Sequence, residues 1–354
     1  MRRVETRYLD DGRGQNRGQP AALIEIEQPD DLESLHRTIV ETNYYGREYF
    51  EGRGYHEGTL IGHFWYLAEI ARHLGPRRVL EVGCGRGDVL HLLDRAGVEV
   101  RGIDFSPAVV ASAWPSLHGH LSCGDLVEVL DAHLRFQPHV RFDLVCGFDV
   151  WEHFPPARLD GYIQRAVDVS AEDALFFFVV PAFGDDRVFG EQFPLEFEEN
   201  RGDFDRREPF RFLLSDADVA AVPAQGHLTW AHTEWWEQTF EGHGLVRLPE
   251  VERPFHQFLD DLVPHSIKAF YLFRRDTRTG AERAERLAAR PYGNVDYTRT
   301  VGRLVLASRP LGPLNFDTAV RQDAVGKWRS RVKARARGTA ELAVRHLGGA
   351  GAGR

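Results

Sequence analysis

The stretch Arg77 to Asp88, which reads Arg-Arg-Val-Leu-Glu-Val-Gly-Cys-Gly-Arg-Gly-Asp, leaves this chain few ways to fold. Val79, Leu80 and Val82 form the short apolar run of a strand buried on both faces. Gly83, Gly85 and Gly87 then alternate through a turn, and Val89, Leu92, Leu93 and Ala96 recur at helical spacing up to Gly97. Strand, glycine turn and helix in that order build a ligand cradle. Glycines let the backbone approach a bound molecule, and the helix N-terminus favours negative charge. Glu81 sits inside the strand, two residues before the first glycine. Asp88 stands where a G-x-G-x-x-G dinucleotide fingerprint would carry its last glycine.

Downstream, strand and helix patterns alternate, which predicts a doubly wound, mostly parallel sheet. The second strand covers Val98 to Asp104 and is followed by Ser106 and Pro107, a cap and a first-turn proline. An acidic residue ending that strand is placed to accept hydrogen bonds from both hydroxyls of a ribose. Leu121 to Asp125 reads as the third strand, Phe142 to Val150 as the fourth and Leu175 to Val180 as the fifth. Asp160 to Val169 and Thr233 to Glu241 read as helices, Leu245 to His256 as the sixth strand and Lys268 to Arg275 as the seventh. Ahead of this region lie a polar leader, Met1 to Pro20, read as mobile, and a short strand or apolar patch at Ala21 to Ile26. A helix at Asp30 to Asn43, the aromatic cluster from Tyr44 to Phe50 and a helix at Leu60 to Leu74 follow.

The glycine turn with Glu81 and Asp104 resembles motif I and its ribose-binding partner in the class I S-adenosylmethionine-dependent methyltransferases. The resemblance runs by element order from Leu60 to Arg275. It implies a seven-stranded Rossmann-like α/β sheet, S-adenosylmethionine as cofactor, and cofactor contacts at Glu81, Gly83, Cys84, Gly85, Gly87, Asp104, Phe105, Asp125, Leu126 and Phe148. Asp125 resembles the family's acidic residue beside the adenine amino group. Trp151-Glu152-His153-Phe154 resembles the Glu-His signature that follows the fourth strand in many members. The last strand of the family's closing pair is antiparallel, which would bring His256 and His265 near the catalytic face.

The implied chemistry is in-line displacement at a sulfonium methyl, where positioning supplies most of the rate. A hydroxyl acceptor must also lose its proton. An imidazole titrates near neutral pH, so His153, His227, His256 and His265 are the candidate bases, with His153 first. Asp149, Asp185 and Asp186 offer carboxylates, yet no tight His-carboxylate spacing is visible, so no metal site is assigned. Gly226-His227-Leu228-Thr229 followed by Thr233-Glu234-Trp235-Trp236 resembles bacterial methyltransferases that accompany glycosyltransferases. That points to a small-molecule acceptor: a hydroxyl of a sugar, glycan or other natural product, with an amino-sugar N-methyltransferase as runner-up. A nicotinamide-dependent oxidoreductase and a noncatalytic scaffold are the readings from other classes; Glu81 and Asp88 count against the first, the intact loop and Asp104 against the second.

The remaining residues divide the 354-residue chain into a leader and helical cap (1–59), the cofactor-binding domain (60–276) with a lid-like insertion (182–232), an extension (277–317) and a basic tail (318–354). The extension has no assigned role; it holds a helix near Ala281 to Ala289 and an apolar run at Leu304 to Ala307. A short helix is expected at Leu213 to Ala221. The tail combines arginines and lysines with an apolar stripe headed by Trp328. It suits an anionic membrane surface, a disordered, solvated tail or, ahead of the membrane, packing on the acidic body of the same chain. A net charge of -9 argues against a general nucleic-acid binder, and three cysteines outside any CxxC pair fit a reducing cytoplasm. No apolar run spans a membrane and no signal peptide opens the chain, so a cytoplasmic enzyme is expected. The oligomeric state is not legible.

Overall fold

The computed structural model describes residues 1–9, 16–52, 62–184, 191–192, 197–219, 222–262, 268–296 and 298–299. The chain opens with two antiparallel strands, β1 (Arg2–Arg7) and β2 (Pro20–Glu25). The leader read as mobile is thus in part an edge strand. Val4 is its one apolar residue, too little for a sequence pattern to reveal, and its backbone pairs with β2. Next come α1 (Pro29–Glu41), α2 (Arg47–Gly52) and α3 (Gly62–His73).

The glycine-turn unit forms as its pattern predicts: β3 (Arg78–Val82), the turn, then α4 (Asp88–Asp94). It is followed by β4 (Glu99–Asp104), α5 (Pro107–Ala111), β5 (Leu121–Cys123), α6 (Leu126–Phe136), β6 (Phe142–Phe148), α7 (Pro156–Asp168) and β7 (Ser170–Pro181). The insertion holds the short pair β8 (Phe183–Gly184) and β9 (Glu191–Gln192), then α8 (Arg201–Arg206) and β10 (Phe212–Leu214). Leu213 therefore belongs to a strand, not to the short helix expected there. β10 pairs with β2, so the leader and the insertion share a three-stranded sheet ordered β1-β2-β10.

The chain closes through α9 (Thr233–Glu241), β11 (Leu245–Arg247), α10 (Pro249–Leu262), β12 (Lys268–Arg275) and α11 (Arg278–Ala288). The sixth strand is corrected here: it stops at Arg247, and the residues to His256 are helical. Val251 and Phe255, four apart, face the core, while Glu252 and His256 are buried beside them. The main sheet has seven strands in the order β11-β12-β7-β6-β3-β4-β5, with β12 antiparallel to both neighbours and the other pairings parallel.

Each face of the sheet carries its own core. Along β7, Phe177 and Val179 point to one side, where Tyr66, Ile70, Leu90 and Phe255 pack; Phe176 and Phe178 point to the other, against Ile163, Trp236 and Phe240. α11 extends the architecture past Arg275. Its buried Arg283 donates to the carbonyls of Asp143 (2.7 Å), Asp173 (3.0 Å) and Leu74 (3.1 Å), fastening the helix to the edge opposite the glycine turn. The basic tail, the apolar run at 304–307, Asp185, Asp186 and His265 lie outside the described residues. Among the described residues, no helix is long and apolar enough to cross a membrane.

Candidate functional site

The glycine turn after β3 takes a conformation that side chains resist: Gly83, Gly85 and Gly87 have φ of 64°, 56° and 82°. The three differ in surroundings. A Cβ on Gly83 would overlap Val150, and one on Gly87 would overlap Leu117, so both positions are closed by packing. A Cβ on Gly85 would meet no atom within 4 Å. The backbone is therefore open to a ligand at the middle glycine. Asp104, at the end of β4, locks the turn: its Oδ2 accepts from the Gly85 amide (2.9 Å) and its Oδ1 from that of Ser106 (2.9 Å). Burial raises the Asp104 pKa, and those amides oppose the rise.

Glu81 is buried beneath the turn, and its Oε2 has no hydrogen-bond partner among the described residues. Burial first, then the charges of Asp88 and Asp104, hold its carboxyl well above the usual carboxylate range. Asp88 binds Arg86 (2.9 Å) and the Trp114 indole (2.6 Å), which fixes the first turn of α4. A turn with an open middle glycine and an acid at the end of the neighbouring strand fits a nucleoside-bearing cofactor.

The other expected contacts divide. Phe105 is 41% exposed, unusual for a phenylalanine, and lies 5.6 Å from the Tyr45 ring. Asp125 caps α6: its Oδ1 accepts from Val127 (2.9 Å) and Glu128 (3.3 Å), and its Oδ2 from the Tyr162 hydroxyl (2.8 Å). The side chains of Cys84, Leu126 and Phe148 are buried in the two cores.

A second group assembles beyond β6. Asp149 adopts φ 51°, left-handed for a non-glycine residue. A single helical turn, Trp151–His153, follows. Trp151 is fully buried against Phe178 (ring centroids 4.8 Å apart) and anchors the turn, and Gly147 is glycine because a Cβ there would overlap the indole nitrogen. Glu152 is fully buried, and its carbonyl accepts from Leu228 (2.8 Å) and Thr229 (2.9 Å) at the end of the insertion. The Thr229 hydroxyl donates to the Phe154 carbonyl (2.7 Å). These bonds bring His227 to His153. The two rings lie 4.8 Å apart, and each Nε2 is 3.8 Å from Glu152 Oε1.

The aromatic leader segment completes the group. The Tyr45 hydroxyl lies 2.6 Å from His153 Nδ1 and donates to the Gln225 carbonyl (3.1 Å). The Gly226 carbonyl, 3.2 Å from the same Nδ1, can only accept. An N–H at Nδ1 would find both oxygens as acceptors, and the ring's Nε2 faces Glu152. Gly226 has φ 74°, and a Cβ there would overlap the Tyr45 hydroxyl. Tyr45 also accepts, through its carbonyl, from the Ser106 hydroxyl (2.8 Å), two residues beyond Asp104. One residue thus ties the glycine-turn side of the site to the imidazole cluster.

Of the four candidate histidines, the structure brings His153 and His227 together. His256 is buried on α10 and accepts from the Phe270 amide at Nε2 (3.1 Å), a structural employment. Sequence reasoning missed Tyr45 as the linking residue and missed the meeting of Glu152 with two imidazoles. Glu152-His153 was visible as a pair, but nothing local in the sequence announces that residue 227 returns to it.

A family profile described as a methyltransferase domain matches residues 63–247, just over half of the chain. Among curated relatives, ubiquinone biosynthesis O-methyltransferase from Bradyrhizobium diazoefficiens is 38% identical over 83 residues, 23% of this chain and 31% of that protein. The enzyme of the same name from Azorhizobium caulinodans is 31% identical over 118 residues, 32% of this chain and 44% of that one. These matches span about a third to under half of the relatives' length. Among solved structures, the Burkholderia thailandensis 1,6-didemethyltoxoflavin-N1-methyltransferase with S-adenosylhomocysteine bound has a TM-score of 0.43 and 14% identity, covering 73% of this chain and 96% of that one. A likeness at that level adds nothing to the sheet order and the profile match. On those grounds the chain belongs to the methyltransferase-domain family as a class I enzyme, and its cofactor is S-adenosylmethionine.

Proposed function

We propose that this enzyme transfers the methyl group of S-adenosylmethionine to a hydroxyl of a small-molecule acceptor, a sugar, glycan or other natural product. The observation that carries the reading is the buried Glu152 carboxylate with the His153 and His227 imidazoles beside it, at the carboxyl edge of β6 and linked through Tyr45 to the Asp104 loop. Ligands of open α/β sheets bind at that edge. A neutral amine needs only positioning against the sulfonium methyl, whereas a hydroxyl needs its proton taken, and this cluster supplies basic groups for that step. The partly matching relatives carry O-methyltransferase names, which agrees.

In this reading Gly85 and Asp104 hold the cofactor's backbone-facing side and ribose, Phe105 flanks the adenine, and Glu81 shapes the floor. The insertion and the Tyr44–Phe50 segment cover the acceptor. Tyr44 supports that cover by donating to Asp216 of the insertion (2.7 Å). The test is a screen of hydroxylated and aminated acceptors with S-adenosylmethionine, read as a mass gain of one methylene. An O-methyl product whose rate falls about a hundredfold or more in His153→Ala, with cofactor affinity kept, supports the proposal. Transfer to amines alone, indifferent to His153, refutes it.

A further inference from the structure

We infer that Glu152, His153 and His227 bind a divalent transition-metal ion that activates the acceptor hydroxyl; this rests on the reading of that cluster as the acceptor site. The ligand atoms, one from each side chain, all lie within 4.8 Å of one another. Each imidazole Nε2 is 3.8 Å from the same carboxylate oxygen, too long for a hydrogen bond. Ligands at about 2.0–2.2 Å from a shared ion stand about 3.3 Å apart in a tetrahedron, so modest side-chain rotation closes the site.

The surroundings of His153 point the same way. In the tautomer whose Nδ1–H donates to the Gly226 carbonyl, the Nε2 lone pair faces the Glu152 carboxyl, and a cation between them would be held by both. Metal-bound histidines characteristically donate their other N–H to a carbonyl or another oxygen, which fixes the ring; here the Gly226 carbonyl and the Tyr45 hydroxyl take that place. The site is also built across the fold. Glu152 and His153 come from the turn after β6, His227 from the end of the insertion, and the Leu228 and Thr229 amides clip the two together. Two imidazoles and one carboxylate suit zinc, cobalt or manganese better than magnesium, which prefers oxygen ligands. Three protein ligands leave positions open for the substrate.

The chemistry is not redox. The acceptor hydroxyl coordinates the ion, its pKa falls, and its proton passes to solvent. The oxygen lone pair then forms the C–O bond as the C–S bond breaks, and that electron pair stays on sulfur. The products are a methyl ether, S-adenosylhomocysteine and one proton. The imidazoles serve as ligands and need not take the proton themselves.

The full chain, stripped with a chelator and desalted, is titrated with zinc by calorimetry and with cobalt by visible absorption, with magnesium as the contrast. One equivalent of zinc or cobalt per chain is expected, and cobalt should show the absorption bands of a low-coordinate nitrogen and oxygen site. Glu152→Gln and His227→Gln should each weaken binding at least tenfold, and Tyr45→Phe about tenfold as loss of an outer-shell partner. S-adenosylhomocysteine affinity, measured on the same samples, should stay within twofold, which also reports that the variants are folded. No metal bound by the wild type, or equal binding by all variants, overturns the inference. Methyl transfer that proceeds undiminished in the metal-free wild type also overturns it and leaves hydroxyl methylation standing. One bound equivalent, lost in the variants, upholds the site even where no hydroxyl acceptor is methylated, and it is then the proposed reaction that fails.

Discussion

Alanine at Gly83 and at Gly85 should separate packing from cofactor approach. Both residues have left-handed backbones, so a Cβ costs about 1–2 kcal/mol at either one. At Gly85 that is the whole cost, because the new methyl meets nothing within 4 Å. At Gly83 the methyl overlaps Val150, and overpacking adds about 1–3 kcal/mol. Gly83→Ala should therefore lose about 2–5 kcal/mol in urea unfolding and Gly85→Ala about 1–2 kcal/mol. Cofactor binding should show the reverse contrast between fold and function. Gly85→Ala, although well folded, places its methyl where the cofactor backbone must approach, and its affinity for S-adenosylhomocysteine should fall at least tenfold by calorimetry, about 1.4 kcal/mol. Two results would refute this reasoning: wild-type affinity in Gly85→Ala, or equal destabilisation by the two substitutions.

Asp104→Ala removes the expected ribose acceptor and should weaken S-adenosylmethionine by about 1.5–3 kcal/mol in calorimetry; unchanged affinity in a folded variant would count against its ribose role. Glu252 is fully buried, paired with Arg247 (3.0 Å) and accepting from the Leu272 amide (2.7 Å), so Glu252→Ala should destabilise by about 3–5 kcal/mol in chemical denaturation. A loss under 1 kcal/mol would show that Arg247 finds compensation. The Glu81 carboxyl is raised in the folded chain, so the unfolded chain loses its proton first as pH rises. Its contribution is present in full below the ordinary carboxyl pKa and declines as pH climbs toward the folded value. Urea unfolding of the cofactor-free enzyme between pH 5 and about 8 should show the wild type losing stability relative to Glu81→Gln; parallel curves would place the carboxyl's titration elsewhere.

What the sequence made legible was local. The run from Val79 to Asp88 joins a strand, three glycines and a helix within one stretch, and its acid partner closes the next strand, so the cofactor loop could be read without tertiary information. Long-range closure was not legible. His227 meets Glu152 through amide bonds from Leu228 and Thr229, and Tyr45 crosses from the leader to His153; no periodicity encodes either meeting. α10 was misread for another reason. Leu245, Val246 and Leu248 suggest a strand, and Pro254 argues against a helix, yet Val251 with Phe255 and Glu252 with His256 repeat at four-residue spacing. The β1 strand escaped because an edge strand needs no apolar alternation; backbone pairing to β2 and the single apolar contact of Val4 hold it. The insertion's β10 escaped because three residues are too few for a period.

The most direct test of the central claim follows one methyl group. The enzyme is incubated with S-adenosylmethionine labelled at its methyl carbon and with its best acceptor from the screen, and the product is examined by carbon NMR. The label should appear in a methoxy group, with S-adenosylhomocysteine formed in equal amount, and Glu152→Gln should abolish both. Label in an N-methyl or C-methyl group, or full methoxy formation by Glu152→Gln, would contradict hydroxyl methylation by this cluster.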